Sequence, residues 1–323
     1  MKAIRFHNIG GPEVLRLDEV EKPIPAEGEA LVRIQLAGVN FADTLLRRGS
    51  YLAQPRLPET PGFEASGVVE DVGGGAGAEW KGRRVALMGE HCYAQYTKVP
   101  LGSLIPLPDS VSLEAGAAFP VQALTAYHLL FTAGGLKAGQ SVLVHAAAGG
   151  TGLLAIQMAK QAGARVFGTV SNEEKARVAS EAGADEIILY TQEDFAKRVL
   201  AATGNQGVDL ILDSVGKATY TGSVRSLAPF GHLISFGGAS GAPDPVQLST
   251  LYPKSIKVSA FWLFTAMRQP QLAAAGVERV LGWLAGGKIH LKIGLTLSLE
   301  QAAEAHRSLE SRETVGKILL TVN

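Results

Sequence analysis

The sequence predicts an α/β chain of two domains: a β-rich domain interrupted by an inserted domain built on a doubly wound parallel sheet. Three observations carry this. Residues 1–120 hold short apolar runs broken by Gly and Pro. Residues 121–261 alternate strand-like and helix-like segments. Residues 262–323 return to the character of the first stretch. The expected division is therefore 1–120 plus 262–323 for the first domain and 121–261 for the insert.

The first stretch opens on MKAIRF, where Ala3 and Arg5 alternate with Ile4 and Phe6, the two-residue period of a strand. ALVRIQLAGVN, GFEASGVVEDVG, GRRVALM and YAQYTKVP follow at short spacing, as in a sandwich or small barrel. After LIPLPDSVS, Ser112 starts a helical pattern with Glu114 in its first turn. In the second stretch SVLVHAA is an apolar strand. GGTGLLAIQMAKQAG is a helix with Leu153, Leu154, Ile156 and Met158 inward and Gln157 outward. RVFGTV, EIILY, VDLILD and HLISFGG are further strands, and NEEKARVASEAG and FAKRVLAAT are helices between them. IKVSAFWL is the expected sixth strand. Strands alternating with helices at this spacing give a parallel sheet covered on both faces, and right-handed crossovers make it doubly wound. After Gln269 come a helix at about 270–286, then GKIHLKIGLTLSL, a helix from Glu300 and the closing strand KILLTV.

Composition removes several function classes. Hydrophobic residues make up 46% and charged residues 19%, a soluble globular profile. Lys plus Arg equals Asp plus Glu at 30 each, so no net positive charge is available to neutralise nucleic-acid phosphates. Cys92 is the sole cysteine, which excludes an intrachain disulfide and a four-cysteine zinc site. The N-terminus lacks a signal-peptide core, and no segment reaches the roughly 20 apolar residues of a membrane helix. A cytoplasmic location is expected.

The strongest motif is Ala147-Ala148-Gly149-Gly150-Thr151-Gly152, placed after a strand and opening a helix. That is the context of a dinucleotide fingerprint, with Ala147 in the first glycine slot. Gly149 lets the backbone approach a pyrophosphate, Gly152 lets helix and strand pack closely, and the helix start attracts phosphate. The next strand ends in Val170, followed by Ser171, Asn172 and Lys175, where NAD sites usually place a carboxylate. Hydroxyl, amide and ammonium donors suit a 2′-phosphate, so the expected cofactor is NADPH. Ser171 also reads as a plain helix N-cap with Glu174 in its capping box.

GGPEVL at Gly10–Leu15, GVNFADT at Gly38–Thr44, GFEASG at Gly62–Gly67, HAAAGGTG at His145–Gly152, DSVG at Asp213–Gly216 and ESRETVGKILL near the C-terminus together resemble the quinone oxidoreductase (zeta-crystallin-like) branch of the medium-chain dehydrogenase/reductase superfamily. The resemblance spans essentially the whole chain and implies a GroES-like β-rich catalytic domain with an inserted Rossmann domain. It implies that Asn40 and Tyr51 face nicotinamide and substrate. Gln122 and Thr125 lie near the nicotinamide ribose, and Ala148 and Gly149 to Gly152 line the pyrophosphate. Ser171, Asn172 and Lys175 take the 2′-phosphate, and Tyr190 lies at the adenine end. Phe236 and Gly237 border the nicotinamide, Ser214 is a further cofactor contact, and Arg312 reaches toward the cofactor. Some relatives carry Arg near Ala260; this chain has none. Zinc-dependent relatives carry Cys at the position of Asn40 and His at that of Phe63, so the resemblance implies no metal.

Without a Lewis acid, the natural acceptors are already electron-poor: quinones, enones and α,β-unsaturated thioesters. The sequence reading has NADPH between the domains, Tyr51 donating to the acceptor carbonyl or packing as a loop aromatic, and Asn40 donating an amide N–H. Tyr51 in RRGSYLAQPRLPETPGFE and the run SAFWLF also resemble an enoyl-thioester reductase, with Phe261 and Trp262 lining an acyl pocket or serving only as packing. A non-catalytic NADPH-binding role, crystallin-like or RNA-binding, is the remaining alternative. IKVSAFWL as an exposed edge strand predicts a homodimer.

Overall fold

The computed structural model describes residues 1–75, 77–242 and 245–323. The chain forms two compact units, Met1–Val121 with Leu291–Asn323, and Gln122–His290. The first segment gives β1 (Lys2–Arg5), β2 (Arg16–Glu19), β3 (Glu29–Val39), α1 (Phe41–Arg47), β4 (Glu64–Val72), β5 (Arg84–Met88), β6 (Tyr96–Pro100), β7 (Leu104–Pro106) and α2 (Leu113–Ala118), then α3 (Pro120–Tyr127). Next come β8 (Ser141–Val144), α4 (Gly150–Gln161), β9 (Arg165–Val170), α5 (Glu173–Glu181), β10 (Glu186–Leu189), α6 (Phe195–Ala202), β11 (Val208–Asp213), α7 (Tyr220–Ser226), β12 (Leu227–Ser235), β13 (Lys257–Ala260), α8 (Leu263–Met267) and α9 (Pro270–Ala285). The chain closes with β14 (Ile293–Ser298), α10 (Ala302–Glu310) and β15 (Lys317–Thr321).

In the first unit β1 pairs with β2, and a seven-stranded sheet runs β14-β15-β3-β4-β5-β7, with β6 also on β3. Strand β3 is buried along most of its length because it pairs with β4, β6 and β15. The C-terminal strand β15 lies antiparallel on it, Ile318 opposite Val39, and so completes the sheet begun by the first segment. Helix α1 docks beside α10 through Arg47, which is wholly buried. Its guanidinium donates to Gly10 O at 3.1 Å and to Glu310, and lies 3.0 Å from His306 Nδ1.

The second unit is a parallel sheet ordered β10-β9-β8-β11-β12-β13, the 3-2-1-4-5-6 order of a doubly wound dinucleotide fold. Leu143, Phe167, Ile188, Ile211 and Leu233 from five neighbouring strands form its core with Val199 of α6, and Phe195 and Val224 pack against them. The winding direction reverses between β8 and β11, which opens a crevice beyond the carboxyl ends of those strands.

Residues 262–290 lie in the second unit rather than in the first, where the sequence reading put them. The reason is packing: Trp283 of α9 sits edge-on to Tyr127 at 6.2 Å and 6.0 Å from the Phe131 ring. Gln157, expected to point outward, instead exchanges two hydrogen bonds with the His290 backbone, at 3.0 and 2.7 Å. Of the predicted strand IKVSAFWL, only Lys257–Ala260 is strand; the chain turns at Trp262 into α8. As expected, Ser112 caps α2 by accepting from Ala115 N.

Replacing Arg47 with Met should lower stability by roughly 3 kcal/mol, because Gly10 O loses its donor and Glu310 its buried partner. Urea unfolding followed by circular dichroism measures this. A midpoint unchanged from that of the parent chain would show that the α1–α10 contact does not depend on the guanidinium.

Candidate functional site

In the second unit the loop after β8 folds back at Ala146, whose φ of 49° is left-handed although it carries a Cβ. The turn closes with Gly149 N bonded to Ala146 O at 2.9 Å, and Gly149 then caps α4 with no side chain. The first-turn N–H groups of α4, from Gly150, Thr151 and Gly152, have no preceding helical carbonyl to bond and carry the positive end of the helix dipole. A Cβ at Gly152 would lie 2.5 Å from Ala146 O, so this helix can approach its loop only through glycine. A Cβ at Gly150 would lie 1.8 Å from Gln122 Oε1, an oxygen that is buried with no hydrogen-bond partner among the described residues. Thr125 follows Gln122 on α3 and is buried; Ala147 and Ala148 are buried in the loop. An orphaned acceptor beside a ring of N–H donors, with room that only glycine leaves, fits a dinucleotide with its hydroxyls and pyrophosphate.

The second strand ends as expected. Parallel pairing of Leu189 with Val170 brings Tyr190 beside Ser171, and Thr191 Oγ1 donates to Ser171 O at 2.9 Å. Asn172, not Ser171, is the N-cap of α5, accepting from Lys175 N at 3.0 Å. The cap falls one residue later because Asn172 is the residue whose side chain reaches back over the first turn. Ser171 is half-buried and Asn172 exposed. At the end of β11, Asp213 Oδ1 accepts from Val215 N and Gly216 N, and Oδ2 accepts from Thr219 Oγ1. Asp213 therefore shapes the turn, and leaves Ser214 packed against Gly237, where a Cβ would lie 2.9 Å from Ser214 O. Phe236 N donates to Asp213 O, and Phe261 N to Ser235 O at 2.8 Å, which aligns the ends of three adjacent strands. Trp262 is half-buried against Phe264, ring centroids 5.4 Å apart, with the Arg268 guanidinium over its face.

In the first unit Asn40 is the N-cap residue of α1 and is 5% exposed. Its Nδ2 donates to Glu64 Oε1 at 2.7 Å, and its Oδ1 accepts from Lys317 Nζ at 2.8 Å. Lys317 also donates to Glu64 Oε1. Glu64 Oε2 accepts from Val121 N at 2.7 Å, and both charged side chains are fully buried. Gly38 makes room for this: a Cβ there would lie 2.8 Å from Glu64 Oε1. Tyr51 follows α1 and packs its ring on Phe63, centroids 5.3 Å apart. Arg312 lies just past the C-cap of α10 with φ of 61°, a strained position for a non-glycine residue and one often kept for function. The sequence reading did not single out Glu64 or Lys317. The signal was a charged residue in each of two otherwise apolar strand runs, FEASGVV and GKILLTV.

Behind Asn40 lies a second buried chain of polar groups. Asp43 Oδ2 accepts from Asn40 N at 2.7 Å and from Tyr93 Oη at 3.1 Å, and Tyr93 Oη lies 3.3 Å from His306 Nε2. Burial raises the Asp43 carboxyl to about 7, against the Asn40 N–H, Lys317 and Tyr93, which pull it down. Burial lowers His306 to about 3, with Arg47 and Arg48 adding to the effect.

Residues 26–109 match the alcohol dehydrogenase GroES-like domain and 150–278 the zinc-binding dehydrogenase family. A quinone oxidoreductase of Pseudomonas aeruginosa is 38% identical, covering 99% of both chains. A 2-haloacrylate reductase of Burkholderia sp. is 36% identical over 98% of this chain and 97% of its own. The Escherichia coli quinone oxidoreductase complexed with NADPH superposes with a TM-score of 0.95 at 36% identity, covering 99% of this chain and 100% of that one.

Asp43 and His306 should leave opposite marks on the pH dependence of stability. Asp43, raised from 3.8, contributes stability that is full below about 4 and lost as pH rises to about 7. His306, depressed from 6.5, contributes stability that is full above about 6.5 and lost as pH falls toward 3. Between about pH 4 and 6.5 the two proton uptakes cancel. Relative to the parent chain, Asp43→Asn should make stability rise with pH by about 1.4 kcal/mol per unit, and His306→Gln should make it fall equally. Urea unfolding across that window reads the slopes; parallel profiles for all three proteins would show that neither group is shifted as described.

Proposed function

This chain belongs to the quinone oxidoreductase (zeta-crystallin-like) branch of the medium-chain dehydrogenase/reductase superfamily, and we propose that it is a zinc-independent, NADPH-dependent reductase of quinones and related electron-poor acceptors. The observation that carries the reading is the glycine loop before α4, with the orphaned Gln122 Oε1 beside it. The full-length likeness to a quinone oxidoreductase complexed with NADPH supports the same cofactor.

In this reading the α4 N-terminus, from Gly149 to Gly152, holds the pyrophosphate, with Ala148 as an apolar floor. Gln122 accepts from a ribose hydroxyl, with Thr125 next to it. Ser171, Asn172 and Lys175 supply hydroxyl, amide and ammonium donors to a 2′-phosphate, and Tyr190 covers the adenine end. Ser214, Phe236, Gly237 and Arg312 complete the cofactor contacts. Bound there, NADPH supplies a hydride to the acceptor. Asn40 offers an amide N–H to oxygen, and the Tyr51 phenol donates a proton. Phe261 and Trp262 give an apolar wall to the substrate. The residues at the positions that bind zinc in zinc-dependent relatives are an amide and a phenyl ring, Asn40 and Phe63. Neither is a zinc ligand, and an ammonium already neutralises the neighbouring Glu64.

The 2-haloacrylate reductase relative favours a second reading, reduction of an activated carbon–carbon double bond, with Tyr51 protonating the product. Strand β13 ends its sheet as an edge strand with its outer backbone ladder unpaired among the described residues, which supports assembly as a homodimer. Among the described residues no helix is long and apolar enough to cross a membrane.

Stripped of metal with a chelator, the protein should oxidise NADPH with a simple quinone at its full rate. Loss of turnover that added zinc restores would sink the zinc-independent mechanism. Lys175→Ala should raise KM for NADPH about 10- to 100-fold, the worth of one charge-assisted hydrogen bond, and leave KM for NADH nearly unchanged. Equal effects on both cofactors would remove the 2′-phosphate role. Turnover of a 2-enoyl thioester in preference to quinone, lost in Tyr51→Phe, would select the second reading.

A further inference from the structure

We propose that Lys317 is a positioning residue that, with Glu64, fixes the Asn40 carboxamide in one of its two flipped orientations, so that one defined N–H is left for a ligand. The inference rests on the placement of Asn40 at the reacting site in the preceding reading.

A carboxamide is nearly symmetric in shape, and turning it over exchanges a two-donor nitrogen for an acceptor oxygen. The neighbours of Asn40 break that symmetry. The Lys317 ammonium has only donors, and it lies 2.8 Å from Oδ1. The Glu64 carboxylate has only acceptors, and it lies 2.7 Å from Nδ2. The flipped amide would set N–H against ammonium and oxygen against carboxylate, two repulsive contacts in a fully buried place. The remaining freedom is removed on the backbone, because Asn40 N is held by Asp43 Oδ2 at 2.7 Å. The Glu64 carboxylate is held in turn by Val121 N. Of the two Nδ2 protons one is committed to Glu64, so the other is the donor the site can use.

Stability alone does not account for the pair. A buried ion pair is typically no more stabilising than apolar side chains of the same volume. What the charges supply that an apolar pair cannot is a single amide orientation, delivered by a lysine on the last strand, 277 residues from Asn40.

The test is a cycle on the full-length protein. Asn40→Ala should lower kcat about 100-fold, as loss of a positioned donor does. The paired variant Glu64→Gln/Lys317→Met removes both charges together, so neither is left buried alone. It should keep NADPH affinity, read by fluorescence quenching, within about threefold, and lower kcat at least about tenfold. Adding Asn40→Ala to that pair should cost nothing more than Asn40→Ala alone. Lys317→Arg, still donor-only, should retain most of kcat, whereas Lys317→Gln, which can accept as well as donate, should not. With selective ¹⁵N-Asn labelling, the Asn40 side-chain amide protons, identified by their loss in Asn40→Ala, should exchange slowly with solvent in the parent and fast in the paired variant. Wild-type kcat or unchanged amide exchange in the paired variant, or additive losses in the triple variant, would overturn the proposal. An Asn40→Ala enzyme with full kcat would overturn it too, by removing Asn40 from the reacting site, and is distinguishable because the amide exchange would still report the clamp.

Discussion

A carboxylate enclosed as fully as that of Glu64 needs a cation and several donors around it, and the first unit is arranged to bring them. The cation comes from β15, the last strand, and the donors come from Asn40 at the end of β3 and from Val121 where the first segment ends. Three separate stretches of chain meet on one acidic side chain. The antiparallel pairing of β15 on β3 sets their register, with Leu319 opposite Gly38, so that a one-residue slip would carry Lys317 to the opposite face. Gly38 gives the carboxylate its space. Remove the pairing of the terminal strand and Glu64 is left with amides only.

A second layer keeps α1 in place behind this cluster. Asp43 holds the N-terminus of α1, Tyr93 reaches Asp43, and His306 and Arg47 continue the chain of polar groups to Glu310 at the end of α10. Burial favours the uncharged forms of two members, a carboxyl lifted to about 7 and an imidazole lowered to about 3, and Arg47 and Glu310 close the chain as an ion pair. Such a network tolerates burial because most of its groups have partners, and it fixes the helix whose N-cap residue is the proposed donor.

The second unit uses backbone where the first uses side chains. Its loop after β8 turns at Ala146 in a left-handed conformation, and glycines at 149, 150 and 152 leave the N–H groups of α4 uncovered. His145 at the end of β8 lies 2.9 Å from both Thr169 Oγ1 and Ser223 Oγ, tying the strand end to β9 and α7. Asp213 does the same work at the end of β11 through three hydrogen bonds. Both side chains lie at the ends of the sheet's switch-point strands, and both are engaged in hydrogen bonds within the unit.

The sequence by itself determined the doubly wound parallel sheet and the glycine loop, because these follow from local periodicity and from conformations open to glycine alone. It also marked Ser171, Asn172 and Lys175 as a donor set, although the cap moved to Asn172. Its errors came where segments distant in sequence meet. The run from 262 to 290 reads like the first domain by composition, yet Trp283 finds its aromatic partners at Tyr127 and Phe131. Glu64 and Lys317 each looked like a stray charge in an apolar strand. Only the tertiary structure decided that they neutralise each other beside Asn40, because an ion pair spanning 253 residues leaves no period or spacing in the chain.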